Sequence, residues 1–360
     1  MSEIKIEKIT KKFDDFIAVQ ESDLTINDGE FFVLLGPSGC GKTTTLRMIA
    51  GLELPTSGKI LLDNDDVTFL RASQRDIAFV FQLFALYPHM NVKNNLSFPL
   101  KMQRFSKDEI NQRISEVASL LRIDHLLNSK VSGLAGGDRQ RVALGRAIVR
   151  RPKAFLMDEP LGTLDAEFRE LMCLELRKLH NNINATTVYV THDQLEAMSM
   201  GDRIAVMNEG RILQYGSPKD IYTKPKTKFV ASFIGSPSMN FIPINHVINK
   251  NQNEVKIGNE KYSIPIIKED SSSDQNVLGV RPEKMFLSDQ NGIPGEIYGS
   301  EYLGTRKILT IQSEFGIYKV RVSNEVNLKI GSNTKINFDS KSAIIYDGTT
   351  EQALKSEFII

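Results

Sequence analysis

The sequence predicts a two-part chain: a mixed α/β domain with a largely parallel sheet, then a small all-β domain. Two observations carry the first part. Short apolar runs alternate with stretches of helical periodicity from residue 1 to about residue 235, as expected for strands covered by helices on both faces. A glycine-rich turn joins one of these runs to a helix. A third observation carries the second part. Beyond Ser236-Pro237, up to Ile360, the apolar runs shorten and turn residues separate them, as in a small β-barrel.

Each element follows from its pattern. Ile4-Lys5-Ile6 and Leu24-Thr25-Ile26 alternate like half-buried strands. Phe31 to Leu35 is a continuous apolar run that stops at Gly36, and a helix is expected from Gly41 to Gly51. Ile77 to Phe81, Ala154 to Met157 and Thr187 to Val190 read as further buried strands. Ile110, Ile114, Val117 and Leu121 recur at helical spacing, which places a helix over 107 to 121. Another helix is expected from Gly137 to Arg150, ending before Pro152. In the second part, 277 to 280, 308 to 311, 317 to 322 and 343 to 346 read as strands, and 268 to 275 as a polar loop.

Bulk composition narrows the function. Lys and Arg number 45 against 44 Asp and Glu, and this balance argues against a nucleic-acid binder. The two cysteines, Cys40 and Cys173, are too few for a disulfide framework and fit a reducing compartment. The N-terminus shows no signal-peptide pattern, and no 18-residue apolar stretch occurs, so a membrane role requires a partner protein.

Gly36-Pro37-Ser38-Gly39-Cys40-Gly41-Lys42-Thr43 fits G-x-x-x-x-G-K-[ST], the P-loop pattern, and Thr44 follows it. Such a loop turns successive N–H groups toward one anion, and the helix behind it adds its positive end. Lys42 supplies charge for the β- and γ-phosphates, and Thr43 a hydroxyl for magnesium. Asp158 and Glu159 stand at the carboxyl end of a strand, where ligands sit in such sheets. Asp158 suits magnesium, and Glu159 suits a base that orients the attacking water. Cys40 reads as a filler of the loop.

Leu134-Ala135-Gly136-Gly137-Asp138, continuing as RQRVALGRA, and Asp158-Glu159-Pro160 add to the P-loop. Together these motifs resemble the nucleotide-binding subunits of ABC transporters over essentially the whole chain. The resemblance implies an α/β P-loop ATPase domain (1–235) with a helical subdomain at about 83–150. It also implies an all-β, OB-like (TOBE-type) regulatory domain at 236–360. ATP and Mg2+ are the implied ligands. Leu134 to Asp138 would cap the nucleotide held by a second subunit, with Asp165 of the D-loop segment 161–165 at the same interface. Phe13 would stack on adenine and Val19 would flank the base, with an ordinary core aromatic as the lesser alternative for Phe13, because an isolated Phe carries little signal by itself. Gln82 would touch magnesium or its water, and His192 the γ-phosphate. Implied partners are a second copy, two transmembrane permease subunits and an extracytoplasmic solute-binding protein, at the cytoplasmic face of the inner membrane. Residues 85–90 are a candidate contact strip for the permease, or a loop anchored by its apolar side chains.

Gly235 to Phe241 and Gly279 to Glu283 resemble the appended domain of importer ATPases for carbohydrates and glycerol 3-phosphate. Polyamine and ferric-ion importers have similar architecture. A non-transport ABC ATPase acting on DNA is disfavoured, because about 90 residues without sustained heptads separate Lys42 from Leu134. Ribosome-type members carry two cassettes and this chain has one. The signature departs from the family pattern: Ala135 stands for Ser, Asp138 for Gln, and Gly162-Thr163 for Ser-Asn. The expectation is a functional but weakened ATPase, with an ATP clamp that does not hydrolyse as the alternative.

Overall fold

The computed structural model describes residues 2–162 and 164–359 and divides into two compact units, Met1–Pro218 and Lys219–Ile360. In the first, six strands form a sheet in the order Arg211–Gly216, Arg203–Asn208, Phe31–Leu35, Thr186–Thr191, Ala154–Asp158, Ile77–Val80. All neighbours run parallel except the first pair. Phe31–Leu35 lies at 0% exposure throughout, so no alternation is visible in its sequence. A four-stranded antiparallel sheet accompanies it: Phe16–Ile26, Ile4–Phe13, Ser57–Leu62, Asp65–Asp66. Ile4, Ile6, Leu24 and Ile26 turn inward from it into a core shared with Leu34, Leu46 and Val190, which explains the alternation of those strands.

The helix behind the glycine-rich turn spans Lys42–Ala50, with both expected end glycines, Gly41 and Gly51, as its left-handed caps. Helices Val92–Met102, Lys107–Leu121 and Gly136–Ile148 pack on one another. Ile110, Ile114, Val117 and Leu121 are buried as their spacing requires. Helix Gly136–Ile148 begins one residue earlier than expected and ends two earlier.

The second unit is antiparallel in all its sheets. A five-stranded sheet (Met285–Ser288, Asn333–Phe338, Ile293–Tyr302, Arg306–Ser313, Gly316–Ser323), a three-stranded sheet (Asn240–Ile244, Asn276–Val280, Ile344–Tyr346) and the hairpin Glu254–Ile257/Glu260–Ser263 contribute to one core. Its compact boundary falls earlier than residue 235, because helices Pro218–Thr223 and Lys228–Phe233 are tied to the strands by Arg281. This buried guanidinium donates to the carbonyls of Tyr222 (2.9 Å), Ala231 (3.0 Å) and Ile234. It lies 4.3 Å from the Tyr222 ring centroid.

Candidate functional site

The phosphate loop leaves the buried strand Phe31–Leu35 and enters the helix Lys42–Ala50. Gly41 has φ +102°, and a Cβ there would meet the Ala18 carbonyl oxygen at 2.5 Å, so only glycine closes this turn without strain. Gly36 and Cys40 are buried, Pro37 is half-buried, and Ser38 and Gly39 are exposed at the rim. Lys42, only 4% exposed, donates from Nζ to the carbonyls of Gly36 and Pro37, each at 2.8 Å. Burial pushes the Cys40 thiol up, with Lys42 opposing it, which suits a filler better than a nucleophile. Thr44 is half-buried on the first turn of the helix.

The carboxylates meet this loop from the end of the strand Ala154–Asp158, which the strand Thr186–Thr191 separates from Phe31–Leu35. Thr43 Oγ1 donates to Asp158 Oδ1 at 2.8 Å. Burial raises the Asp158 carboxyl above its ordinary value, Thr43 opposes this, and the Glu159 charge adds to it. Glu159 sits at φ +44°, a conformation a non-glycine residue keeps only when its surroundings impose it. Its N–H donates to the Val190 carbonyl at 3.1 Å, and its own carbonyl accepts from Gly162 at 3.2 Å. Gln82 Nε2 donates to Glu159 Oε2 at 3.3 Å, and His192 Nδ1 lies 3.3 Å from Glu159 Oε1. Residues from four strand ends, Lys42, Gln82, Asp158–Glu159 and His192, thus gather at the carboxyl edge of the sheet.

Phe13 is 42% exposed, with Lys11 Nζ 4.6 Å from its ring centroid, so it is a presented face rather than core filling. Val19 is fully buried among Leu46 and its neighbours, so its side chain supports this region from beneath and offers no face to a base.

The turn Leu134–Asp138 stands apart from the loop. Among the described residues, no hydrogen bond or ion pair joins residues 134–138 to residues 36–44. Ala135 is exposed and caps the helix Gly136–Ile148 without a side-chain bond. Gly136 is half-buried, and a Cβ on Gly137 would overlap the Phe168 ring. Asp138 is paired, with Arg141 Nη1 at 3.8 Å. Asp165 is exposed and caps the helix Ala166–Ile183 by accepting from Phe168 N at 2.9 Å. Thr163 lies outside the described residues.

A family model described as ABC transporter matches residues 19–162, and one described as TOBE domain matches residues 278–345. The trehalose/maltose import ATP-binding protein of Thermococcus litoralis is 44% identical over 98% of this chain and 100% of its own length. This chain belongs to the ABC transporter family. The ABC ATPase is also 48% identical to the sn-glycerol-3-phosphate import ATP-binding protein of Bartonella bacilliformis, over 80% of each chain. Among solved structures it resembles a dimeric bacterial ABC transporter cassette: TM-score 0.54, 33% identity, 60% of this chain and 98% of that one. The post-hydrolysis state of that cassette, bound to ADP and Pi, matches equally. It is an ATP-hydrolysing cassette with an appended TOBE domain, and no described helix is long and apolar enough to cross a membrane.

The structure adds residues to this ABC ATPase that the sequence reading missed. Asn95, fully buried, accepts from Tyr87 N at 2.9 Å and donates to Tyr87 O at 3.2 Å. Arg146 donates to the carbonyls of Ala85 (2.7 Å) and Phe84 (3.1 Å). These bonds hold the backbone at Phe84, Ala85 and Tyr87, at the start of the strip 85–90, which neither residue type announces. Glu196, 4% exposed, accepts from Tyr189 OH (2.8 Å) and Thr191 Oγ1 (2.7 Å) beside His192, and burial raises its carboxyl. A signal did exist here: Asp193 and Glu196 have capping-box spacing.

Proposed function

We propose that this ABC ATPase is the energy-coupling subunit of a solute importer, with a carbohydrate or glycerol 3-phosphate as cargo. It works as a homodimer on two molecules of ATP, together with two permease subunits and an extracytoplasmic solute-binding protein, at the cytoplasmic face of the membrane. The convergence of Gln82 and His192 on Glu159, one residue from the Thr43–Asp158 bond, is the observation that carries this reading. The import relatives supply the cargo class.

In this reading the loop 36–44 cradles the triphosphate and Phe13 stacks on adenine. Thr43, Asp158 and Gln82 form an all-oxygen donor set at one corner, which suits Mg2+. Held there, Mg2+ would supply positive charge to neutralise the phosphate oxygens. Glu159 orients the attacking water and accepts its hydrogen bond, and Gln82 and His192 fix the rotamer of that carboxylate. His192, with a side chain 54% exposed, extends from Glu159 toward the γ-phosphate. The turn 134–138 and Asp165 complete the site of the other subunit, so hydrolysis opens the pair.

The helical subdomain, about 83–150, receives the permease through the strip 85–90. Next to it Leu83 is 79% exposed, while Asn95 and Arg146 hold the strip's backbone for docking. The TOBE domain is regulatory.

Purified chain with and without its permease provides the test. The expected results are Mg2+-dependent phosphate release and an ATP-dependent dimer in Glu159→Gln. A Glu159→Gln protein that stays monomeric at saturating Mg-ATP, even with the permease present, overturns the reading.

A further inference from the structure

The first turn of the helix Ala166–Ile183 touches two places that the proposed reaction assigns to different nucleotides. Phe168 packs directly on Gly137, where a Cβ would overlap ring atoms Cε1 and Cζ. That glycine belongs to the turn facing the other subunit's nucleotide. One residue on, Arg169 reaches the opposite way. Its Nη2 donates to the Leu164 carbonyl at 2.8 Å, next to Asp165. Its Nη1 donates to Asp193 Oδ2 at 3.2 Å, and Nε lies 3.7 Å from Glu196 Oε1.

Both flanks of His192 are held in this cluster. Thr191 Oγ1 donates to Glu196 and accepts from Asp193 N at 3.0 Å. Asp193 Oδ1 accepts from Leu195 N at 2.7 Å and Glu196 N at 3.3 Å. With Glu196 only 4% exposed, water cannot take over these bonds when one of them shifts. The turn carrying Phe168 and Arg169 is stiffened by the Asp165 cap, so the two side chains move together.

We propose that this turn is a relay and that Arg169 is a positioning residue. A displacement of the Gly137 turn by the other subunit's nucleotide passes through Phe168 and Arg169 to His192 of the same chain. The inference rests on the dimeric reading above and deepens it: the relay makes one site's hydrolysis sensitive to occupancy of the other. Cutting it leaves ATP binding intact, because neither residue is placed against the nucleotide of its own chain. Cut at Arg169, it loses the alignment of His192 as well as the coupling between sites; cut at Phe168, it loses the coupling alone.

The experiment compares the full-length chain with Arg169→Gln, Arg169→Lys and Phe168→Ala, measuring phosphate release against ATP concentration and, separately, equilibrium ATP binding. The native chain is expected to show a Hill coefficient above one. Arg169→Gln lowers kcat about ten- to a hundredfold, as loss of a charge-assisted bond predicts, with Kd unchanged. Arg169→Lys keeps the charge without the fork and recovers part of that turnover. Phe168→Ala brings the Hill coefficient to one while kcat at saturating ATP stays close to native. Native kcat and Hill coefficient in both Arg169→Gln and Phe168→Ala overturn the relay. So does a loss of kcat, Kd and thermal stability together in all three variants, which marks a merely structural role. A Glu159→Gln chain that remains monomeric at saturating Mg-ATP, even with the permease present, overturns the dimeric reading itself, and the relay with it.

Discussion

The phosphate loop and the signature turn are both glycine-rich entries to helices, yet they are held in opposite ways. Around the loop, Lys42 is bonded to two loop carbonyls, Thr43 is bonded to Asp158, and Gly210 N donates to Cys40 O at 3.1 Å. Its side chains are bonded within one chain. The signature turn has an exposed Ala135 with no side-chain cap bond, and its contacts come from Phe168 and Arg141. The N–H groups of its first turn lack intrahelical partners, as at the start of any helix. In the proposed dimer, one half of the composite site is finished by folding, and the other is left for a second subunit to complete.

The largest test of this contrast is Glu159→Gln, which removes the proposed base from the finished half. Turnover should fall roughly a thousandfold, while ATP binding and the ATP-dependent dimer persist. Phosphate release and light scattering measure the two effects. Gly137→Ala strikes the other half by driving a Cβ into the Phe168 ring. A cost of about 1–3 kcal/mol is expected for such overpacking, read as a lower melting temperature and a reduced turnover. Adding Phe168→Ala should restore the melting temperature but not cooperativity between the sites. If Gly137→Ala behaves like the native chain, the close packing of the signature turn has no energetic content.

Ala135→Ser with Asp138→Gln should act in the opposite direction. In the proposed dimer, a regained hydroxyl donor to the γ-phosphate, and removal of the negative charge that lies 3.8 Å from Arg141, should raise turnover up to about tenfold. Unaltered turnover in the double variant would sink this account of the two departures.

The smallest effect concerns a polar group completed by its own chain in the second unit. Burial works against ionised Asp347, but N–H donors of Thr350, Ser272 and Thr349 and the Ser272 hydroxyl outweigh it and hold the carboxyl at about 2. The folded value is depressed below the unfolded one. Its stabilisation is therefore present above about pH 4 and lost as pH falls toward 2. Asp347→Asn should cost about 1 kcal/mol at pH 7 after allowance for solvent screening, and close to nothing near pH 2. Denaturant titrations at the two pH values check it.

The finished half was legible because its chemistry is local. A buried strand, a glycine-rich turn and a helix occur in sequence order, and the adjacent acids follow another apolar run. The helix Val92–Met102 was not legible: Lys93-Asn94-Asn95 and Pro99 break its apolar pattern, and buried Asn95 earns its place only by bonding Tyr87 across a turn. Val19 was read as a neighbour of the base, but the register opposite Lys11 sends it into the core. The boundary at 235 was drawn from a change in strand pattern, and that pattern cannot register Arg281, which ties the preceding helices to the later strands through backbone carbonyls.

The sequence by itself determined the α/β-then-β order, the phosphate loop, the acid pair and their assignment to one edge of a sheet. Each of these is a matter of residue type at short spacing, where backbone geometry leaves few alternatives. Tertiary structure alone decided that Gln82 and His192 close on Glu159, that Phe168 fills the space above Gly137, and that Arg169 ties Leu164 to Asp193. Those contacts join residues on different elements, and their partners are set by how strands and helices pack rather than by any pattern along the chain.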